Sequence, residues 1–466
     1  MSHSLEELQT KFPLFRYEAY THVLSPEGLE VSFTFRLGEY VFHPKLFFHG
    51  ITQGMVNRVD PQEFDDYIFQ IGLAEIPSYW KLACSPTIEI VAGPLSQEEI
   101  VFWQKLIEKG MGEFFFVNDI APFSPSFLEK TPNEIPDNAF RQSENLYRDD
   151  KENTVLMPVG GGKDSAVTFE LLSTLNKEIT FFTLGKDLAS DTMIAVFEQK
   201  KAGTHRIHVD RILDPLMLEL NTVGFLNGHT PFSSVVAFVS VFTAKLLGIS
   251  QVILSNERSA NEETGVYHGV NINHQYSKSF EFESDVRSYM RRRWNDAPNY
   301  FSLLRPWYEI QIMKVFSLHP EYFSVFRSCN VGKKTNTWCG HCAKCLFVTL
   351  LLSAFVSTDQ VISIFGKNML DEPDKVVVLD QLTGEAEMKA FECVGTRRET
   401  MAALYHIYVR LRTEGKPLPA LIRAYQQRLD DRMDTLEHDM DALLASFDDQ
   451  NFVPDDYREV LSHALS

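Results

Sequence analysis

The chain has 466 residues, and its 44 Lys and Arg against 63 Asp and Glu leave a net charge of −19 at pH 7. That balance excludes binding to RNA or DNA by general phosphate neutralisation unless basic residues gather locally, and a content of 44% hydrophobic residues excludes a disordered chain. The length suits two or three domains, each able to bury a core.

The N-terminus, Met1 to Glu7, is neither basic nor apolar, so no secretory signal is expected and a cytoplasmic location is. Val31, Phe33, Phe35 and Leu37 alternate with polar residues after the turn Ser25-Pro26-Glu27-Gly28, and Tyr40-Val41-Phe42 follows Gly38, which predicts a β-hairpin. Ser96 and Glu99 form a capping box that opens a helix ending near Gly110. Residues 1–120 therefore read as an α+β N-terminal domain. Pro122, Pro125, Pro132 and Pro136 mark 121–153 as a linker.

From Thr154 short apolar runs alternate with helical patterns. Strands are expected at 155–159, 179–184, 206–209 and 251–255, with helices at 164–175, 192–201 and 231–248. This order predicts an α/β fold with a parallel sheet over 154–293, whose ligands sit beyond the carboxyl ends of the strands. The tract Pro231 to Gly248 is interrupted by Ser233, Ser234, Ser240, Thr243 and Lys245 and falls short of the ~20 apolar residues of a membrane span, so it reads as a buried helix. Residues 294–466 read as mainly helical, with a core helix at Cys345 to Val356. Leu429, Met433, Leu436, Met440, Leu443 and Phe447 suggest a helix docked on its own domain, too short for a coiled coil. No oligomeric state follows.

The segment Val159-Gly160-Gly161-Gly162-Lys163-Asp164-Ser165 lies between an expected strand and helix. Three glycines let the backbone turn its N–H groups toward an anion, and the following helix N-terminus adds partial positive charge. Lys163 can neutralise oxyanion charge, Ser165 can donate a hydroxyl hydrogen bond, and Asp164 can hold Mg²⁺ or orient the loop. A Walker loop is excluded because Asp164 follows Lys163, and the dinucleotide fingerprint because Ser165 occupies its final glycine position. The segment resembles the PP-loop of the adenine nucleotide alpha hydrolases, with Gly160 in place of the leading Ser. That resemblance implies ATP cleavage between the α- and β-phosphates and adenylation of a substrate oxygen. After the strand at 251–255, Asn256 and Glu257 can touch nucleotide, and Arg258 can pair with a substrate carboxylate or phosphate.

Cys329, Cys339, Cys342 and Cys345 supply four thiolates within seventeen positions, enough for a tetrahedral structural zinc site. An iron–sulfur cluster would accept the same set, but nothing else in the sequence suggests electron transfer. His341 offers an alternative ligand.

Taken in order, Ile71 to Lys81, Gly110 to Phe116, Gly160 to Ser165, Ser255 to Glu262 and Cys339 to Phe347 resemble the UDP-N-acetylmuramoyl-L-alanyl-L-glutamate epimerase family. The resemblance implies an ATP-dependent isomerase of peptidoglycan precursor synthesis that turns the terminal L-Glu of UDP-MurNAc-L-Ala-L-Glu into D-Glu. It also implies ATP and Mg²⁺ as requirements and a UDP-MurNAc-dipeptide as partner, with neither nucleic acid nor membrane. For proton exchange, His229, His268, His274 and Cys393 have suitable chemistry, His229 being preferred as catalytic because it precedes the buried helix, and His274 being assigned to substrate binding. Arg291-Arg292-Arg293 offers a site for the UDP diphosphate or a solvated basic face. The alternatives are an enzyme resembling 7-cyano-7-deazaguanine synthase, which shares a PP-loop and a late cysteine cluster, or one that modifies transfer RNA.

Overall fold

The computed structural model describes residues 3–129, 153–332 and 335–465. The front of the chain forms β1 (Leu14–Ser25), β2 (Gly28–Leu37), β3 (Tyr40–Phe42), β4 (Lys45–His49), β5 (Thr87–Ile90) and β6 (Ser126–Glu129). The expected hairpin is β2 with β3, Leu37 opposite Tyr40, and β1 adds to it antiparallel across the turn at Ser25 and Gly28, with Val31, Phe33, Phe35 and Leu37 all buried. The capping box at Ser96 and Glu99 opens the helix Gln97–Gly110. Most of the expected linker at 121–153 lies outside the described residues, and its first part carries β6.

The strands that follow are β7 (Thr154–Pro158), β8 (Glu178–Leu184), β9 (His205–Ile212), β10 (Gln251–Leu254), the small hairpin β11 (Gly265–Tyr267) and β12 (Val270–Ile272), and β13 (Asn299–Ser302). One sheet collects all but the small hairpin, in the order β13-β10-β7-β8-β9-β4-β2-β1-β5-β6, with β3 on β2. Strands β13, β10, β7, β8 and β9 run parallel. The fifth of these, β13, lies in the stretch expected to be mainly helical. Strand β4 joins this block to the front strands by antiparallel pairing with β9, Phe48 opposite Val209.

Alternate residues of the strands feed two cores, one on each face of the sheet. Leu156, Phe182, Val209 and Val252 share one core with the helices Pro61–Trp80, Gln97–Gly110 and Phe232–Leu247. Val155, Met157, Phe181 and Ile253 share the other with Lys163–Ser173, Glu309–Ser317 and Ala343–Ser353. The chain is thus mixed α/β, with a large sheet and a helical C-terminal region. Helix Phe232–Leu247 is the buried one expected, and among the described residues no helix is long and apolar enough to cross a membrane.

Three local expectations are corrected. Helix Leu188–Lys200 starts four residues early because the Asp187 carboxylate accepts a hydrogen bond from the Ala189 N–H at 3.2 Å. The apolar repeat from Leu429 is split among Ala420–Asp431, Met433–Leu436 and Asp439–Ala445. The chain bends at Arg432, which reaches Glu385 at 2.9 Å, and Met433 remains half exposed. Arg291 and Arg292 are exposed, as the solvated face requires, but Arg293 belongs to neither that face nor a diphosphate site. It is buried, donating to Glu99 at 2.7 Å and to Asp66 at 2.9 Å, and so ties helix Phe280–Arg293 to two front helices. Arg293→Met would strand both carboxylates and is expected to lower unfolding stability by about 3–5 kcal/mol in urea titration. An unchanged midpoint would refute that bracing role.

Candidate active site

The parallel block reverses direction of growth between β7 and β10, since the chain winds from β7 through β8 to β9 and then returns to β10 and β13 on the other side. Such a reversal opens a crevice beyond the carboxyl ends of the two strands. The loop 159–162 leaves β7 there, and Asn256 and Glu257 leave β10. Gly161 has φ +73°, and a Cβ on it would lie 2.5 Å from the Ala189 carbonyl carbon, so only glycine fits the turn. The Ser165 hydroxyl oxygen accepts the Gly160 N–H at 3.1 Å, which shapes the loop and leaves the hydroxyl hydrogen to donate. Gly162 caps helix Lys163–Ser173 with no side chain on its first amides, which leaves them to an anion.

Asp164, Glu257 and Glu309 bring carboxylate oxygens within 4.8 Å of one another, a donor set suited to a divalent cation. Lys163, almost fully buried, donates to Asp164 at 2.5 Å and to Glu309. Burial works against its charge, but Asp164 and Glu309 raise its pKa above that of an ordinary lysine. Burial, followed by the charges of Glu309 and Asp164, pushes Glu257 up to about 8, a repulsion that a cation would relieve.

A second group lies beyond Lys278. The Cys393 Sγ is 3.2 Å from Lys278 Nζ and 3.8 Å from His274 Nε2, while His274 Nδ1 is 2.6 Å from the Glu113 carboxylate. Burial opposes a thiolate here, but Lys278, the hydrogen bond with His274, and Lys344 hold the Cys393 pKa well below the usual thiol range. Burial likewise opposes an imidazolium, yet the bonds with Cys393 and Glu113 raise His274 to about 9. His229, whose ring centre is 4.5 Å from that of His274, is lowered to about 4 by burial and by the neighbouring charge of His274. His274 is therefore cationic near neutral pH, and His229 is neutral.

The four sequence-marked cysteines converge. Cys329 and Cys342 sulfurs are 4.0 Å apart, Cys339 and Cys345 3.6 Å, Cys342 and Cys345 3.5 Å. The edge of a tetrahedral zinc–thiolate site is about 3.8 Å, from Zn–S bonds of about 2.3 Å. Backbone N–H groups of Gly332, Cys339 and Cys342 already point at these sulfurs. His341 is exposed and turned to the Cys339 carbonyl instead. The cluster touches both groups described above. Arg327 N–H donates to the Gly161 carbonyl at 2.9 Å, Lys344 donates to the Cys393 carbonyl, and Asn330 bonds Glu392.

Lys163, Asp164, Ser165, Asn256 and Glu257 thus meet at one crevice, with His229, His274 and Cys393 in the adjoining group. Arg258 is engaged elsewhere, with Asp448 at 3.1 Å, Ser446 at 2.8 Å and the Tyr308 ring. His268 lies exposed in the turn between β11 and β12 with φ +48°. Sequence reading missed Glu309, Lys278 and Glu113 as site residues. Only Glu113 carried a signal, within the Gly110 to Phe116 stretch.

The family description MurL N-terminal domain matches residues 6–303, and MurL C-terminal domain matches 323–439. A protein of Micromonospora called UDP-N-acetyl-alpha-D-muramoyl-L-alanyl-L-glutamate epimerase is 33% identical over 70% of this chain and 71% of its own length. A protein of the same name from Xanthomonas oryzae is 32% identical over 76% of this chain and 77% of its own. A third such protein, from Salinispora tropica, is 31% identical over 70% of each. The chain therefore belongs to the MurL family of epimerases, which are isomerases.

Proposed function

We propose that this chain converts the terminal L-Glu of UDP-MurNAc-L-Ala-L-Glu to D-Glu at the expense of ATP, on a PP-loop scaffold. The observation that carries this proposal is the convergence, at one switch point of the sheet, of an uncapped helix N-terminus, a lysine and three carboxylates, with the Cys393 and His274 group directly behind.

The need for ATP follows from the α-carbon. Removing its proton beside an ionised carboxylate would put a second negative charge on adjoining atoms. Attack of that carboxylate on the α-phosphorus expels pyrophosphate and leaves a mixed anhydride, whose enolate is far more accessible. Deprotonation, protonation of the opposite face and hydrolysis then give D-Glu and AMP. Gly160, Gly161 and Gly162 shape the cradle for the phosphates, and the Ser165 hydroxyl donates to them. Lys163 offsets their charge. Asp164, Glu257 and Glu309 would hold Mg²⁺, which supplies charge neutralisation for the departing pyrophosphate. Asn256, at the end of β10, lies where nucleotide contacts are expected. Cys329, Cys339, Cys342 and Cys345 would hold a structural Zn²⁺. In this scheme residues 1–120 contribute Glu113, 154–293 the nucleotide pocket, and 294–466 the metal brace with Glu309 and Cys393.

The test is incubation with ATP, Mg²⁺ and UDP-MurNAc-L-Ala-L-Glu in deuterated water, followed by hydrolysis and separation of the glutamate enantiomers. D-Glu carrying α-deuterium, together with AMP, is the expected result. Unchanged L-Glu from folded, ATP-binding protein would overturn the proposal.

A further inference from the structure

We propose that Cys393 exchanges the α-proton on one face of the activated glutamyl residue, with Lys278 and the His274–Glu113 pair holding its sulfur ready. This deepens, and rests on, the function proposed above.

Three elements far apart in sequence build the environment of this one sulfur. Lys278 ends the short helix Tyr276–Lys278, and His274 precedes it. Glu113 comes from the front section, in helix Gly112–Val117. Lys344 comes from the first turn of helix Ala343–Ser353, and its bond to the Cys393 carbonyl fixes the backbone that carries the sulfur. Gly395 lets this backbone approach the Glu309 helix, since a Cβ there would lie 3.1 Å from the Glu309 Cβ and 2.6 Å from the Phe347 ring. Glu399 completes the attachment. Its carboxylate accepts from Thr396 N–H, Ile310 N–H and the Ser259 hydroxyl, all at 2.7–2.8 Å. A cysteine serving only as core filler needs none of this, and Cys84 shows the contrast. It is fully buried without a charged partner, and burial alone raises its thiol pKa.

Position then selects the reaction. Lys278, 3.2 Å from the Cys393 sulfur, also feels the charges of Glu257 and Asp164, so the sulfur and the carboxylate cluster act on one shared lysine. A glutamyl carboxyl activated at the loop has its α-carbon a single bond from the carbonyl carbon, on the side away from the nucleotide. In the step, the thiolate takes the proton, an S–H bond forms and the Cα–H bond breaks. Its electron pair passes into the enolate of the acyl phosphate. A donor on the opposite face supplies the new Cα–H proton, and the thiol returns its own to water before the next turnover.

Cys393→Ser in the full, metal-loaded chain tests this with the same deuterated assay. The variant is expected to keep substrate-dependent AMP release while losing α-deuterium incorporation and D-Glu formation by about 100-fold or more. Cys393→Ala, measured in parallel, must show the same split, which guards against a folding artefact in either variant. Exchange at the wild-type rate in either one would overturn the assignment. So would loss of AMP release together with exchange in both folded variants, which would place Cys393 in activation. A hydroxylamine-labile acyl adduct on wild-type Cys393, seen by intact mass, would overturn it in favour of a nucleophile. Failure of the wild-type chain to form AMP would instead sink the function proposed above.

Discussion

Asp164→Asn is expected to slow substrate-dependent AMP release by about 100- to 1,000-fold, with the folded chain otherwise intact. The substitution keeps the shape of the side chain and removes one negative charge from the three-carboxylate group. Lys163 retains Glu309 as a partner, so the buried ammonium is not stranded and stability changes little. What is lost is one of three anionic ligands for a cation and the 2.5 Å contact that orients Lys163. The loss should fall on AMP formation in single-turnover measurements, before any proton exchange, and titration with Mg²⁺ should show weakened binding. A variant that released AMP at the wild-type rate would show that Asp164 has no part in activation.

Removal of metal from the four-cysteine site is expected to lower the melting temperature by on the order of 10 °C and to abolish AMP release and proton exchange together. Four sulfurs at 3.5–4.0 Å without a shared cation are a poorly compensated cluster, and a cation would tie the loop carrying Cys329, Cys339 and Cys342 to the core helix that carries Cys345. The double functional loss follows from the contacts of residues 327–344. Arg327 supports Gly161 of the glycine loop, while Lys344 and Asn330 support the segment bearing Cys393. Cys345→Ala should reproduce the effect without chelator, and elemental analysis should find one metal per chain before treatment and none after. A stripped chain with unchanged melting and activity would refute the brace.

Much of this architecture is legible in residue order because it depends on local chemistry. The strand, glycine loop and helix at 154–173, the capping box at Ser96 and the cysteine spacing all specify structure within a few turns of chain. What the sequence hides is long-range. Glu309 begins a helix in a stretch with no motif, and only the return of β13 to the sheet brings it to Lys163. Cys393 stands alone among apolar and polar neighbours, and its chemistry exists only because residues 113, 274, 278 and 344 meet there. Arg293 misled for the same reason in reverse. A run of three arginines reads as a surface, yet the third turns inward to Asp66 and Glu99.

The antiparallel pairing of β4 with β9 bears on how the chain is made. Phe48 and Val209 are partners across roughly 160 residues of sequence, a long loop to close before β4, already paired with β2, gains its second neighbour. During synthesis β4 can pair with β2 at once, but its other edge, with Leu46 and Phe48 ready to be buried, stays open until β9 has left the ribosome. A chain truncated before residue 205 would keep that edge open and is prone to self-association. Stalled or nicked chains should aggregate through their front halves, while the finished sheet closes the same edge permanently.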